Sequence, residues 1–369
     1  MTNQISRRSL IASTLAGGAA LAASPLMAHG VDKNIKWDET YDVIVIGSGF
    51  AGLAAAIEAK NAGANVVVLE KMTTFGGNSI INGGILTATG CPQQKMHKIE
   101  DSVDLLEKDI LVAGQYLNDK KKVRLLAEHA LSNYEWCVKT LGVEFLPDAI
   151  GQEGGHSVPR YVTTKNGSGS GIVTKEIDMV KKLGIPMKNR CYVEHIIRNE
   201  AGAVVGVKVR EGYRFPKAES GKEKFLRAKK GVVCCYGGFA ADVKFRMFQD
   251  PQLSADLDTT HQPGAPSELW RETSAIGCLQ VQNDWIQCGP WGNPHEKGMG
   301  IGWQFNQTAA AEYGIWVNSE GNRFVNELAN RKVRADAIML EQQAGRKAFA
   351  IAQGKNVEPL KKQRPGFLE

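Results

Sequence analysis

Tyr41 to Glu70, YDVIVIGSGFAGLAAAIEAKNAGANVVVLE, contains a strand, a glycine turn, a helix and a second strand that ends on an acid. Asp42 to Ile46 is a short β-branched run, and Gly47, Gly49 and Gly52 supply GxGxxG where Leu53 to Lys60 opens an alanine-rich helix. The first glycine permits the tight turn, the second lets backbone approach a pyrophosphate, and the third lets helix and strand pack closely. Unpaired N–H groups and the positive end of the helix dipole then favour phosphate at that N-terminus. Glu70, 18 residues after Gly52, ends the next strand where a carboxylate can bond ribose hydroxyls. The stretch predicts a bound dinucleotide. Strands on both sides and the acid in place set it apart from a structural glycine turn.

Around this unit the chain has 369 residues, 43% hydrophobic and 23% charged, enough for two domains with substantial cores. A net charge of +6, with lysines and arginines scattered among acids, gives no support to nucleic-acid binding and is compatible with an anionic substrate. Residues 1–30 differ in kind: Ser6-Arg7-Arg8-Ser9-Leu10-Ile11 precedes an Ala/Leu/Gly run that ends near Ser24-Pro25-Leu26-Met27-Ala28. This reads as a twin-arginine export signal, too short and glycine-rich in its apolar part for a membrane span. The expected address is the periplasm, with no stable membrane span after cleavage. The seven cysteines are odd in number and show neither CxxC nor CxxCH, so no zinc ribbon or haem attachment is expected, nor any other metal site. Cys234-Cys235, inside the apolar GVVCCYGGF, read as buried and inert thiols.

Downstream, Lys71 to Gly84 is a loop rich in glycine, of the kind that lets backbone approach a ligand. From Ile99 to Val143 the pattern is helical, with Leu105, Leu106, Ile110, Val123, Leu125, Leu126 and Trp136 as its apolar positions and Asn118-Asp119 as a cap. A helix over Ile172 to Leu183 is followed by strands at Ile185 to Met187, Tyr192 to Arg198 and Val204 to Arg210, with a turn at Ala201-Gly202. Phe225 to Ala228 and Val232 to Tyr236 read as two further strands. The expected fold class is α/β. A Rossmann-like sheet interrupted by a β-meander resembles the two-part FAD-binding domain of glutathione-reductase-like flavoproteins, expected here over 31–253, with an incomplete α+β substrate-capping domain expected over 254–369.

GSGFAG, Glu70, GGNS, Gly83-Gly84, YGGF at Tyr236 to Phe239, HQPGA at His261 to Ala265 and NSEGNRFVNE at Asn318 to Glu327 occur in that order. Together they make the chain resemble the fumarate reductase/succinate dehydrogenase flavoprotein superfamily, with the nearest likeness to periplasmic flavocytochrome c fumarate reductases and urocanate reductases. The resemblance covers about residues 40 to 345. It implies FAD, with the adenosine ribose on Glu70 beside Lys71 and the pyrophosphate on Gly47, Gly49, Phe50, Ala51 and Gly52. It further implies the flavin on Asn78, Ser79, Gly83 and Gly84, adenine at Val193, and contacts from Gly237, Gly238 and Glu268. The rival reading of Glu268 is a solvated acid in a first helical turn.

Arg331, in RFVNELANR, matches the arginine that such enzymes use as the proton donor when they reduce an α,β-unsaturated carboxylate. Hydride from flavin N5 reaches one carbon and a proton the other, while the carboxylate is held so that enolate-like charge is stabilised. An arginine donates only where its surroundings weaken its hold on the proton. Its bland alternative is an exposed charge in the run Arg331, Lys332, Arg334. His156 and Arg160, in the loop GGHSVPR, and Trp291 are candidate substrate contacts. Trp285, Trp291 and Trp303 are expected to cluster near the substrate, with core packing as the alternative.

The chain departs from the pattern at Gly289, where relatives hold a second carboxylate with histidine, which weakens a dicarboxylate reading. Gln307 and Ala310 stand where the resemblance expects an acid and an arginine that deliver protons. Glu327, His295 and Glu312 are the substitutes in view. The resemblance also implies a longer chain, so that residues after Gln343 read as those of a truncated or split protein. Electrons are expected from a separate cytochrome c or haem donor. The rival functions are a 3-ketosteroid dehydrogenase-like flavoprotein and an inactive flavin-binding fragment.

Overall fold

The computed structural model describes residues 35–293, 295, 296, 302, 305, 306 and 314–355. The expected export signal, Trp303, Gln307, Ala310 and Glu312 lie outside the described residues.

The opening stretch folds as its sequence dictates. Strand β1 (Glu39–Ile46) leads into α1 (Phe50–Asn61) and β2 (Val66–Leu69), with β1 and β2 parallel and Ile46 opposite Leu69. After β3 (Ile85–Thr87) come α2 (Pro92–Met96), α3 (Val103–Ala113), α4 (Lys120–Lys139) and β4 (Tyr161–Thr163), which pairs antiparallel with β3. Asp119 caps α4 as expected, its Oδ1 accepting from Lys121 N and Lys122 N. Then follow α5 (Ser170–Lys182), β5 (Met187–Lys188), β6 (Cys191–Arg198), β7 (Val204–Glu211) and β8 (Lys222–Cys234). The six-stranded sheet runs in the order β5-β2-β1-β8-β7-β6.

Strands β5, β2, β1 and β8 are parallel neighbours, while β6, β7 and β8 form an antiparallel meander. The fold is therefore mixed α/β, with a parallel sheet extended by a meander. The expected pair of strands over Phe225–Ala228 and Val232–Tyr236 is instead the single β8. Its first half pairs with β7 up to Arg227, and from Leu226 to Cys234 it pairs with β1, whose ladder carries it through Lys229-Lys230-Gly231 with a register shift between Tyr41 and Val43.

Both faces of β1 are covered, which is why its sequence is a continuous apolar run and not an alternation. Val45 packs with Leu53 and Ile57 of α1, Ile172, Val173 and Val180 of α5, and Tyr134 and Cys137 of α4. Ile44 and Ile46 face the other way, onto Val67, Val193, Val207 and Leu226. Of the expected apolar helical positions, Leu106 and Val123 are buried, but Leu125 and Leu126 are 58% and 56% exposed. The side of α4 they occupy turns away from the core.

Helices α6 (Val243–Gln249) and α7 (Glu268–Ala275) follow, then β9 (Gly314–Asn318), α8 (Arg331–Gln343) and β10 (Ala348–Ala352), with β10 antiparallel to β9. All seven cysteines are free thiols. Cys234 is exposed and Cys235 half-buried, a correction to the buried pair expected from GVVCCYGGF. The sequence run is apolar, but the described residues leave the last residues of β8 partly open.

One buried acid sets a pH dependence. Glu176, inward on α5 among Ile172, Val173 and Val180, is 2% exposed; its Oε2 has no hydrogen-bond partner, and burial pushes its pKa up to about 8. Between its ordinary 4.5 and about 8 the folded chain keeps a proton that the unfolded chain releases. Stability is therefore greatest below that window and falls as pH rises through it, by on the order of 5 kcal/mol. Glu176→Gln should flatten this slope and raise the midpoint of thermal unfolding at pH 8. Equal slopes in the two proteins would refute the assignment.

Candidate functional site

A cleft opens where β1, β2 and β8 end at their carboxyl edges. It is lined by Gly47, Ser48, Gly49, Glu70, Lys71, Asn78, Ser79, Val193, Tyr236, Gly237, Gln262, Gly264 and Glu268, among others. Gly47 has φ +102°, and a Cβ there would lie 2.3 Å from the Cys235 carbonyl oxygen. A Cβ on Gly52 would lie 1.9 Å from the Gly47 carbonyl oxygen, so the turn lies directly on the helix's first residues. Gly49 caps α1 with backbone only, and no acid stands in the first turn. The Phe50 amide donates to Ser79 Oγ at 3.1 Å.

Around the turn a buried polar network sets the acid. Ser48 Oγ donates to Glu70 Oε2 at 2.6 Å, Met72 N donates to Glu70 Oε1 at 2.9 Å, and Gly76 N donates to Ser48 Oγ at 3.0 Å. Lys71 pairs with Glu268 at 2.7 Å, which joins the end of β2 to the start of α7. Glu268 is thus an ion-paired residue of the cleft wall as well as a first-turn acid. Asn78 joins GGNS to HQPGA: its Oδ1 accepts from Gln262 N at 2.8 Å, and its Nδ2 lies 3.2 Å from His261 Nδ1. Burial lowers the His261 pKa.

Phe50, Ala51, Gly52 and Gly238 stand beside this cleft without lining it. Gly83 is exposed, and Gly84 packs against the turn Thr164–Ser168, where a Cβ would lie 2.5 Å from the Ser168 carbonyl oxygen. Ser48, Tyr236 and Gln262 line the cleft without having been singled out in the sequence. Ser48 sits inside the glycine motif, and the other two flank the YGGF and HQPGA glycines, so glycine-rich neighbourhoods were the available signal.

A second group gathers at the start of α8. Glu327 Oε1 accepts from Trp316 N at 2.8 Å and from Arg323 Nε at 3.0 Å, which pins RFVNE onto β9. Asn330 caps α8 through Val333 N, at 3.0 Å, and Arg331 is the first helical residue. Its guanidinium lies 4.8 Å from the Trp291 ring centroid and 3.2 Å from Gln287 Oε1; Nη2 lies 3.6 Å from Glu153 Oε1. Its side chain remains 35% exposed. Arg334, one turn on, is buried over Trp291 and Trp316, with ring centroids 5.0 and 5.9 Å away. Burial pulls its pKa below the usual range.

Trp291 is 2% exposed and packs with Trp316, so it is the floor under two arginines and not an open substrate surface; Trp285 is 37% exposed, with Lys332 over its ring. His156 is half-buried, and burial, then Arg160, lowers its pKa. Arg160 is a correction. It is fully buried, with Nε and Nη2 on Asp101 at 3.0 and 2.9 Å and Nη1 on Asp109. Its charge is spent on holding the loop, which leaves it none for a substrate. Among the described residues no group of three or more His, Cys, Asp or Glu could hold a metal, and no helix is long and apolar enough to cross a membrane.

The FAD binding domain family matches residues 42–369. The chain belongs to that family. It is 42% identical over 328 residues to the acrylate reductase flavoprotein subunit of Shewanella woodyi, covering 87% of this chain and 63% of that protein. It is 31% identical over 309 residues to the urocanate reductase of Eggerthella lenta, covering 80% of this chain and 47% of that one. Among solved structures it is similar to the open conformation of a flavocytochrome c3 fumarate reductase, with a TM-score of 0.71 and 28% identity over 95% of this chain and 57% of the other. The chain spans about half to two thirds of the length of these proteins.

FAD is the cofactor, and the cleft fits it. A side-chain-free turn at a helix N-terminus suits the pyrophosphate, and a carboxylate fixed by Ser48 and Met72 suits the ribose.

Proposed function

We propose that this flavoprotein reduces the C=C bond of an α,β-unsaturated monocarboxylate of the acrylate type, with Arg331 as carboxylate contact and proton donor. The observation that carries the reading is Arg331 itself: a part-exposed guanidinium held on the Trp291 face at a position fixed by the Glu327 bonds and the Asn330 cap. Similarity to acrylate and urocanate reductases supports the substrate class. Gly289, which brings no second cationic side chain, favours one carboxylate over two.

When bound, the flavin supplies a hydride to the activated double bond. Gly47, Gly49, Glu70, Lys71, Asn78, Ser79, Val193, Gly237 and Glu268, which line the cleft, would hold the cofactor. Arg331 draws charge toward the substrate carboxylate and gives its proton to the carbon next to it, which converts developing enolate charge into product. Trp291 supports the guanidinium from below and keeps water off one side of it. Similarity to a flavocytochrome c3 fumarate reductase supports a haem protein as the electron source. Arg7-Arg8 and the run that follows support export of the folded protein to the periplasm.

The test is oxidation of reduced viologen dye by the purified yellow protein with acrylate, cinnamate, urocanate, fumarate and a 3-ketosteroid. Acrylate-type monocarboxylates should outpace fumarate. Preference for the steroid, or no acceptor at all, would refute the reading.

A further inference from the structure

A side chain that gives up a proton in every turnover must be recharged from water. The two positions where the resemblance expects the recharging pair hold Gln307 and Ala310, neither of which ionises in the useful range. Glu327 does not replace them, because its oxygens are bound by Trp316 N and Arg323. His295 donates its backbone N–H to Asn293 Oδ1 at 3.0 Å, and Glu312 lies outside the described residues. The Gln287 amide and the Trp291 ring, which also meet Arg331, carry no exchangeable acid, and Arg334, on the same ring, is buried and donates Nη1 to the Glu327 carbonyl at 3.0 Å.

We propose that Glu153 is the relay residue that returns the proton to Arg331, which rests on the reading of Arg331 as proton donor. Its carboxylate is 3.6 Å from Arg331 Nη2, and its side chain is 29% exposed, so one group meets both the donor and bulk water. The backbone fixes this approach. A Cβ on Gly154 would lie 2.9 Å from the Ala329 carbonyl oxygen, so the Glu153 loop is pressed against the turn that leads into α8. On the other side, His156 N donates to the Glu153 carbonyl at 3.1 Å and closes the loop.

The proton balance is simple. Arg331 transfers one proton to the substrate carbon and becomes a neutral guanidine. Glu153, as the carboxylic acid, gives its proton to that guanidine and restores the guanidinium, and the resulting carboxylate takes a proton from water. Two solvent protons are consumed for each double bond reduced: one passes through Glu153 and Arg331, and the other joins the two electrons from reduced viologen dye to make up the hydride equivalent.

Glu153→Gln separates the first turnover from the later ones, because Arg331 enters the first already protonated. In that variant, single-turnover reoxidation of the prereduced flavin by acrylate should stay within about twofold of wild type, while the steady-state rate falls at least about tenfold at unchanged KM. Formate, a small acid able to enter the space vacated in Glu153→Ala, should restore the steady state of that variant, and Glu153→Asp should retain much of it. FAD content and thermal unfolding should match wild type. Equal first-turnover and steady-state rates in Glu153→Gln would overturn the relay, as would a parallel loss of both in Glu153→Ala that formate does not rescue. If Arg331→Gln keeps the first turnover, or if wild type gives no acrylate-dependent reoxidation, the parent reading fails and the relay with it.

Discussion

Arg331→Gln is expected to lower the rate of acrylate-type reduction by about a thousandfold while the protein stays yellow and folded. The size follows from two lost contributions: the charge that polarises the carboxylate and the proton delivered to carbon. Retention of fold follows from the surroundings. Asn330, which caps α8, is untouched, and the Glu327 bonds that pin RFVNE to β9 do not involve Arg331. Trp291 keeps Trp316 and Arg334 against it. The guanidinium is 35% exposed and makes one 3.2 Å hydrogen bond, to Gln287, so its removal leaves no buried partner stranded. Flavin absorbance, thermal unfolding and dye-linked turnover read the three consequences separately. A variant with near wild-type turnover would remove Arg331 from the chemistry.

Gly52→Ala should abolish tight FAD binding and destabilise the fold. The new Cβ would sit 1.9 Å from the Gly47 carbonyl oxygen and 3.4 Å from Cys235 Cβ. Backbone cannot yield there as a flexible side chain would, because Gly47 N is bonded to Leu69 O at 2.8 Å and Cys235 N to Ile46 O at 2.8 Å. The turn must move outward, into the space that receives the pyrophosphate. Overpacking of this kind costs about 1–3 kcal/mol in stability, and a cofactor loss of similar size weakens FAD about a hundredfold. Gly63→Ala is the control. That glycine has φ +85° with nothing within 4 Å of a Cβ, so the change strains backbone far from the cleft and should leave flavin content intact. FAD titration of the refolded apoproteins reads both, and an unchanged affinity in Gly52→Ala would refute the close packing of turn on helix.

These two sites differ in how far sequence alone reaches. The β1–turn–α1–β2 unit is local: each glycine answers to a neighbour within a few residues or to the adjacent strand, and the apolar run of β1 already signals burial on both faces. Asp119 capping α4 is legible for the same reason. The continuity of β8 is not, because Lys229-Lys230-Gly231 separates two apolar runs until the β1 ladder from Leu226 to Cys234 joins them in one strand. Arg160 shows the same limit at a site. Its glycine-rich loop invites a substrate role, and only the fold brings Asp101 and Asp109 onto it from across the chain. Glu153 is the converse case, an ordinary loop acid until the turn before α8 is pressed against it. Cys234 looked buried because an apolar run says nothing about what lies over it.

The proposed role of Arg331 rests on tertiary contacts as well as on its motif, and turnover would separate a working reductase from a protein that only binds flavin. The measurement that addresses this most directly is anaerobic stopped-flow mixing of the prereduced yellow protein with acrylate, followed at the flavin absorbance band and with product analysis. The account predicts acrylate-dependent return of the oxidised flavin spectrum with stoichiometric propionate. A flavin that stays reduced in the presence of acrylate and related monocarboxylates would contradict it.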